Sequence, residues 1–178
     1  WLSVGIVGFH SRLAISTLRF HNNMSETQIP LPERIRPRDL SEIIGQDHLL
    51  GEQAPLRQMI DQGHLPSVIF WGPPGVGKTT IALLLAQAVD RPFISLSALN
   101  TGVKELREII AESGDLIVPV VFIDEIHRFN KSQQDALLSA VEKGKITLIG
   151  ATTENPSFEV NNALLSRCQV YTLRALTE

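Results

Sequence analysis

The chain has 178 residues, enough for one domain with a good core, and its 43% apolar and 20% charged content excludes a disordered or fibrous protein. A formal net charge of −3 gives no whole-chain nucleic-acid signature, so any DNA contact has to come from local basic groups or from other parts of the protein. Cys168, the only cysteine, excludes an internal disulfide framework and fits a reducing, cytoplasmic setting, and no apolar stretch approaches the ~20 residues that cross a bilayer.

Residues 1 to 27 differ from the rest of the chain: they carry no acid before Glu26, have Arg12 and Arg19 among several serines, and begin with Trp1. A transit peptide has that composition, but upstream sequence translated by mistake, with Met24 as the initiator, is the preferred reading. Either way the leader is set aside, and 28–178 is read as one nucleotide-binding core.

Pro30, Pro32 and Pro37 keep the entry extended. Asp39 or Ser41 then caps a short helix that reaches Ile44 and stops at Gly45. A helix over 54–62 leads to the strand Val68–Trp71. The loop Gly72-Pro73-Pro74-Gly75-Val76-Gly77-Lys78-Thr79 comes next and opens a helix over 78–89 that runs on through Thr80. Strands over 93–96, 120–123, 146–152 and 170–173, with helices over 103–113 and 131–142, complete the pattern. Five strands with helices between them imply an α/β fold, a mainly parallel sheet covered on both faces.

The glycine loop has the strand–loop–helix context of a nucleoside-triphosphate site. Gly72, Gly75 and Gly77 let backbone N–H groups turn toward an anion at the positive end of a helix. Lys78 would reach the β- and γ-phosphates, and the Thr79 hydroxyl would hold Mg²⁺. The bland alternative is a Gly/Pro turn.

The apolar run Val120-Val121-Phe122-Ile123 suits a strand buried on both faces, and it ends in Asp124-Glu125. Asp124 is placed to orient Mg²⁺ through its water shell, and Glu125 to polarise the attacking water. The competing reading has the pair capping the next helix. The strand Thr147-Leu148-Ile149-Gly150-Ala151 ends in the polar run Thr152-Thr153-Glu154-Asn155, where a γ-phosphate would lie. Arg167, in Ser166-Arg167-Cys168, could act on the ATP of a neighbouring subunit as an arginine finger.

Together these segments resemble the Walker A, Walker B, sensor 1 and arginine-finger motifs of an AAA+ P-loop ATPase of the clamp-loader branch. Narrower stretches, His127-Arg128-Phe129-Asn130-Lys131-Ser132-Gln133-Gln134-Asp135 and Gly150-Ala151-Thr152-Thr153-Glu154-Asn155-Pro156-Ser157-Phe158-Glu159 above all, with 33–37, 43–50 and 102–107, resemble the RarA/MgsA family of replication-associated recombination proteins, related to the Werner-helicase-interacting ATPases. The resemblance covers about 29–176. It implies an ATP- and Mg²⁺-dependent, DNA-dependent ATPase that forms homotetramers, works at stalled or gapped forks with single-stranded-DNA-binding protein, and is nucleoid-associated. It also implies an adenine pocket at Ile43, Ile44 and Gly45, and a sensor at Thr153, or its neighbour Thr152.

Two departures from the family stand out. The linker over 111–119 is shorter than usual and lacks basic residues, which trims a loop that could touch DNA. The chain also stops at Glu178, before the helical lid and the tetramerisation region, as a fragment would. The alternatives are therefore a nucleotide-binding module without turnover of its own, or a clamp-loader subunit. A branch-migration motor shares the Gly-Ala-Thr-Thr strand end but is not expected to carry Ser166-Arg167-Cys168. Lys104, Arg107, Arg128 and Lys131 could face DNA, though they alternate with Glu105, Glu108 and Asp135 as on a solvated helix face. His127 either couples DNA to Glu125 or is a packed or capping histidine.

Overall fold

The computed structural model describes residues 36–98, 101–112 and 117–175. The leader, Pro30 and Pro32, the expected helix end at Ser113, and the middle of the 111–119 linker lie outside the described residues. In chain order the elements are α1 (Asp47–Leu50), α2 (Pro55–Asp61), β1 (Val68–Trp71), α3 (Lys78–Ala88), β2 (Phe93–Ser97), α4 (Val103–Glu112), β3 (Val120–Asp124), α5 (Lys131–Glu142), β4 (Thr147–Thr152), α6 (Pro156–Glu159), α7 (Asn162–Leu165) and β5 (Gln169–Thr172). Short 3₁₀ turns span Leu40–Glu42 and Ile126–Arg128.

The five strands form one parallel sheet in the order β2-β3-β4-β1-β5. Alternate side chains feed two cores, because successive residues of a strand point to opposite faces. Val68 and Phe70 of β1, with Val120 and Phe122 of β3, join Ile81 and Leu85 of α3 on one face. Ile69, Val121, Ile123 and Leu148 meet Leu106 of α4 and Leu137 of α5 on the other. Burying a side chain such as Phe70 or Phe122, both essentially inaccessible, contributes about 2–3 kcal/mol each. Phe122 also stacks on Phe93 of the edge strand at a centroid distance of 6.0 Å.

The continuous apolar runs made the three central strands readable, and the expected strands fall within a residue of those observed. The expected helix from Asp39 to Ile44 is instead a single 3₁₀ turn. Asp39 accepts a hydrogen bond from the Ser41 N–H at 2.8 Å, and Ile43 is already extended at φ −74°, ψ 117°. The two β-branched residues Ile43 and Ile44 favour that extended exit.

The strand order places the site. β4 lies between β1 and β3, so the carboxyl ends of all three open side by side. Trp71 pairs with Thr152 and Ile123 with Gly150, which sets the loop after β1, the acids ending β3 and the threonines ending β4 along one edge.

Candidate active site

The loop after β1 is held by its neighbours on both sides. The Gly72 N–H donates to the Thr152 carbonyl at 3.1 Å, and the Leu173 N–H donates to the Trp71 carbonyl at 2.7 Å. A Cβ on Gly72 would lie 2.6 Å from the Leu173 carbonyl oxygen, so glycine is required there by backbone crowding. Gly77, the residue before α3, needs glycine for its backbone angle, φ 90°. A Cβ on Gly75 or Gly77 would meet nothing within 4 Å, so the space over the loop is open. Pro73, Pro74 and Gly75 are exposed, Val76 packs against the first core, and Thr79 is exposed at the first turn of α3 beside half-buried Thr80.

Lys78 is buried at 8% exposure, and its ammonium donates to the Gly72 and Pro73 carbonyls at 2.8 and 2.9 Å. Burial holds its pKa below the ordinary lysine value, and the charges of Glu125 and Asp124 oppose that shift. The lysine therefore lies within the field of both acids.

Asp124 closes β3 opposite Ser97 of β2. The chain then turns sharply: Glu125 adopts φ 53°, ψ 49°, a left-handed conformation that costs a non-glycine residue on the order of 1–3 kcal/mol, and its N–H donates to Asp124 Oδ1 at 3.2 Å. On the reading of this pair as a helix cap, Glu125 is the N-cap residue of the 3₁₀ turn that follows. The Glu125 side chain makes no capping bond to the 3₁₀ turn behind it, and α5 is capped by Asn130 and Gln133 in a reciprocal capping box.

The two threonines at the end of β4 differ. Thr152 is fully buried, and its hydroxyl is engaged by Glu154 and His127. Thr153 instead points its hydroxyl at Glu125, donating to Oε2 at 3.4 Å.

Of the expected adenine segment, Ile43 packs against the first core, Ile44 is 79% exposed, and Gly45 turns the chain at φ 78°. The next residue, Gln46, was not singled out in the sequence, yet its buried amide ties this segment to Arg174 beyond β5. A lone glutamine carries no sequence signal for a partner so distant along the chain.

Arg167 is not near this cluster. β5 runs parallel to β1 with Gln169 opposite Val68, so Arg167 precedes β5 at the amino edge, while the loop and the acids occupy the carboxyl edge. A four-residue strand spans about 13 Å. Arg167 is half exposed and donates to Glu142 Oε1 and Ser166 Oγ, both at 3.0 Å. Burial pushes the Cys168 thiol up to about 12, which leaves it inert beside the arginine. Among the basic residues considered for DNA, Lys104 pairs with Glu108 at 3.8 Å, Arg107 lines a shallow groove with Asp135 between α4 and α5, and Arg128 and Lys131 are exposed.

A parallel sheet in this order, with a glycine loop at the amino end of a helix and paired acids at the same edge, defines a P-loop nucleoside triphosphatase of the AAA+ class. Residues 68–175 match the model of the ATPase family associated with various cellular activities (AAA), and the chain belongs to that family. Within it, the resemblance to the RarA/MgsA group holds. The chain is 56% identical over 152 residues to Replication-associated recombination protein A of Coxiella burnetii, covering 84% of this chain and 34% of that protein. Identity to the protein of the same name from Escherichia coli K12 is 52% over 152 residues, covering 83% of this chain and 34% of that one. ATPase WRNIP1 of Dictyostelium discoideum is 48% identical over 153 residues, 84% of this chain and 18% of that one. Among solved structures, the Thermotoga maritima RuvB Holliday junction branch migration motor superposes with a TM-score of 0.65 at 33% identity, over 78% of this chain and 48% of that chain. The chain thus spans about a third of the length of the bacterial relatives it matches. Among the described residues no helix is long and apolar enough to cross a membrane.

Proposed function

We propose that the chain is the ATP-hydrolysing core of a DNA-dependent ATPase that acts in replication-associated recombination at stalled or gapped forks. The observation that carries this reading is the convergence of Lys78, Asp124, Glu125 and Thr153 on one sheet edge beside an open glycine loop. The backbone N–H groups of 72–79, with Thr80 at the first turn of α3, cradle the phosphates. Lys78 leaves its two loop carbonyls to meet the β- and γ-phosphates. Ile43, Ile44 and Gly45 flank the adenine. Glu125 orients the attacking water, and Thr153 is the sensor that shares Glu125 Oε2.

The donor set fits Mg²⁺. The Thr79 hydroxyl and the Asp124 carboxylate are hard oxygen donors, and no group of three or more His, Cys, Asp or Glu among the described residues would make an all-protein cage. When bound with ATP, the ion neutralises charge on the phosphate oxygens.

Arg167 lies at the far edge, so it serves the site of another copy, in an assembly that the family's tetramer exemplifies. DNA as a partner is supported by the names of the relatives, and single-stranded-DNA-binding protein and a cytoplasmic, nucleoid-associated setting complete the proposal from the family resemblance. A second reading, nucleotide binding without turnover by this chain alone, is favoured by that remote arginine.

The test is ATP hydrolysis with and without gapped or forked DNA, beside Glu125→Gln and a nucleotide-binding titration on the same samples. DNA-stimulated turnover lost in the variant supports the proposal. Binding without turnover selects the second reading, and absence of binding removes both.

A further inference from the structure

His127 lies in the 3₁₀ turn behind Glu125, 13% exposed, with one ring nitrogen facing two oxygens. Nδ1 is 3.0 Å from Thr152 Oγ1 and 3.2 Å from Glu125 Oε2. Counting donors favours one place for its proton. A threonine hydroxyl has one hydrogen and two acceptor lone pairs. Thr152 Oγ1 donates to the Glu154 carbonyl at 3.2 Å and accepts from the Glu154 N–H at 3.0 Å, so what remains toward His127 is a lone pair. A carboxylate also only accepts. A bare Nδ1 would face two acceptors, whereas a protonated Nδ1 bonds Thr152 and sets positive charge density beside Oε2. The Glu125 carboxylate has a second regularity. The Thr153 hydroxyl reaches the same oxygen, Oε2, at 3.4 Å, while Oε1 takes no hydrogen bond from the described residues.

We infer that His127, through an Nδ1–H bonded to Thr152 and lying against Glu125, is a positioning residue that ties Glu125 Oε2 to the end of β4 and leaves Oε1 as the oxygen that addresses water. The inference rests on the proposed hydrolytic role of Glu125. Glu125 sits on a sharp left-handed turn, where a carboxylate on a two-carbon stem has several rotamers open to it. The Thr153 hydroxyl bond to one oxygen and the imidazole lying 3.2 Å from that oxygen select one of them. The anchor is rigid, because Thr152 is fully buried in the sheet and its strand neighbour is Trp71, the residue before the phosphate loop. The base is thereby indexed to the loop through β4 rather than through its own flexible turn.

Two measurements on the chain test this, one of them independent of activity. ¹⁵N chemical shifts of the His127 ring report which nitrogen carries hydrogen; a protonated Nδ1 is expected, and a bare Nδ1 overturns the inference. In steady-state ATP hydrolysis, His127→Ala should lower kcat by about 10- to 100-fold, the scale of a small misplacement of a reacting group, with KM unchanged. His127→Asn, whose amide N–H₂ falls near the Nδ1 position, should restore most of kcat. His127→Gln, the larger residue, places its amide nearer Nε2 and should not. A role in filling space predicts the reverse order of Gln and Asn and would overturn the inference, as would an undiminished kcat in His127→Ala. Wild type and Glu125→Gln measured alongside separate the two ideas: equal turnover by those two proteins removes the hydrolytic role of Glu125, while the ring shifts still decide where the proton lies.

Discussion

Gln46 and Arg174, 128 residues apart, pair edge to edge: the Gln46 amide donates to the Arg174 carbonyl at 2.8 Å, and the Arg174 N–H donates to Gln46 Oε1 at 3.1 Å. Two residues on, His48 Nε2 lies 2.9 Å from the Thr172 carbonyl. The segment holding Ile43 to Gly45 is thus clipped to the chain leaving β5. Gln46 is 1% exposed, so Gln46→Ala removes a buried amide that uses both its donor and its acceptor, and leaves the Arg174 backbone groups unpaired. The expected cost is about 1–3 kcal/mol in chemical denaturation. Nucleotide affinity should fall with it, since the proposed adenine wall loses its anchor. Gln46→Glu keeps an acceptor for the N–H but sets a carboxylate against a carbonyl, and should not restore either property. An unchanged unfolding midpoint in Gln46→Ala would show that the clip is incidental.

Glu125 holds a left-handed backbone at φ 53°, so its position is a poor one for folding whatever it does for chemistry. Comparing Glu125→Gly with Glu125→Gln isolates that strain, because both lack the carboxylate and only glycine adopts the angle freely. The glycine variant should be more stable than the glutamine variant by about 1 kcal/mol, and both should lack turnover. Equal stability would mean that the turn carries no strain.

The sheet and the loop were legible in the sequence because their signals are local. Val120-Val121-Phe122-Ile123 is apolar throughout, as a strand covered on both faces must be, and three glycines within six residues mark a loop that turns N–H groups outward. The short helices α6 and α7 were not read, although Asn155 and Asn161 mark them: each asparagine side chain accepts from the N–H two residues on, at 3.0 and 2.8 Å. Four-residue helices are too brief for periodicity, so the cap was the only signal. Between Thr152 and Thr153, spacing like that of the clamp loaders prefers Thr153, but spacing alone does not show which hydroxyl faces the acid. The choice depends on which hydroxyl the end of β4 turns toward Glu125, and that is set by pairing with β1.

The same pair of threonines gives a separable prediction. Thr152→Val removes a buried hydroxyl that serves both Glu154 backbone groups and His127, and should destabilise the fold by about 1–3 kcal/mol while also lowering turnover through His127. Thr153→Val touches a half-buried group whose described partner is Glu125, and should leave stability within about 0.5 kcal/mol while lowering turnover. Denaturation midpoints and kcat on both variants check it. The opposite pattern, stability lost at Thr153 and turnover lost at Thr152 alone, would reassign the sensor.

Arg167 and Glu125 stand at opposite edges of one sheet, so a catalytic role for the arginine requires a second copy. A contact between unlike edges is heterologous, each copy giving one face and receiving the other. Mixing then becomes informative. Arg167→Ala copies retain an intact Glu125 site but supply no arginine, and Glu125→Gln copies supply the arginine but cannot activate water. Each variant alone should be nearly inactive, with a loss on the order of 10³-fold or more for the arginine, while both still bind ATP. Combined in equal amounts under conditions where wild type turns over, they should recover part of the activity, because mixed neighbours assemble complete sites from Glu125 of one and Arg167 of the other. The Glu142 ion pair does not complicate the result, since it is exposed and such pairs contribute little. Absence of recovery, with mixed assemblies shown to form, would confine Arg167 to its surface contact with Glu142.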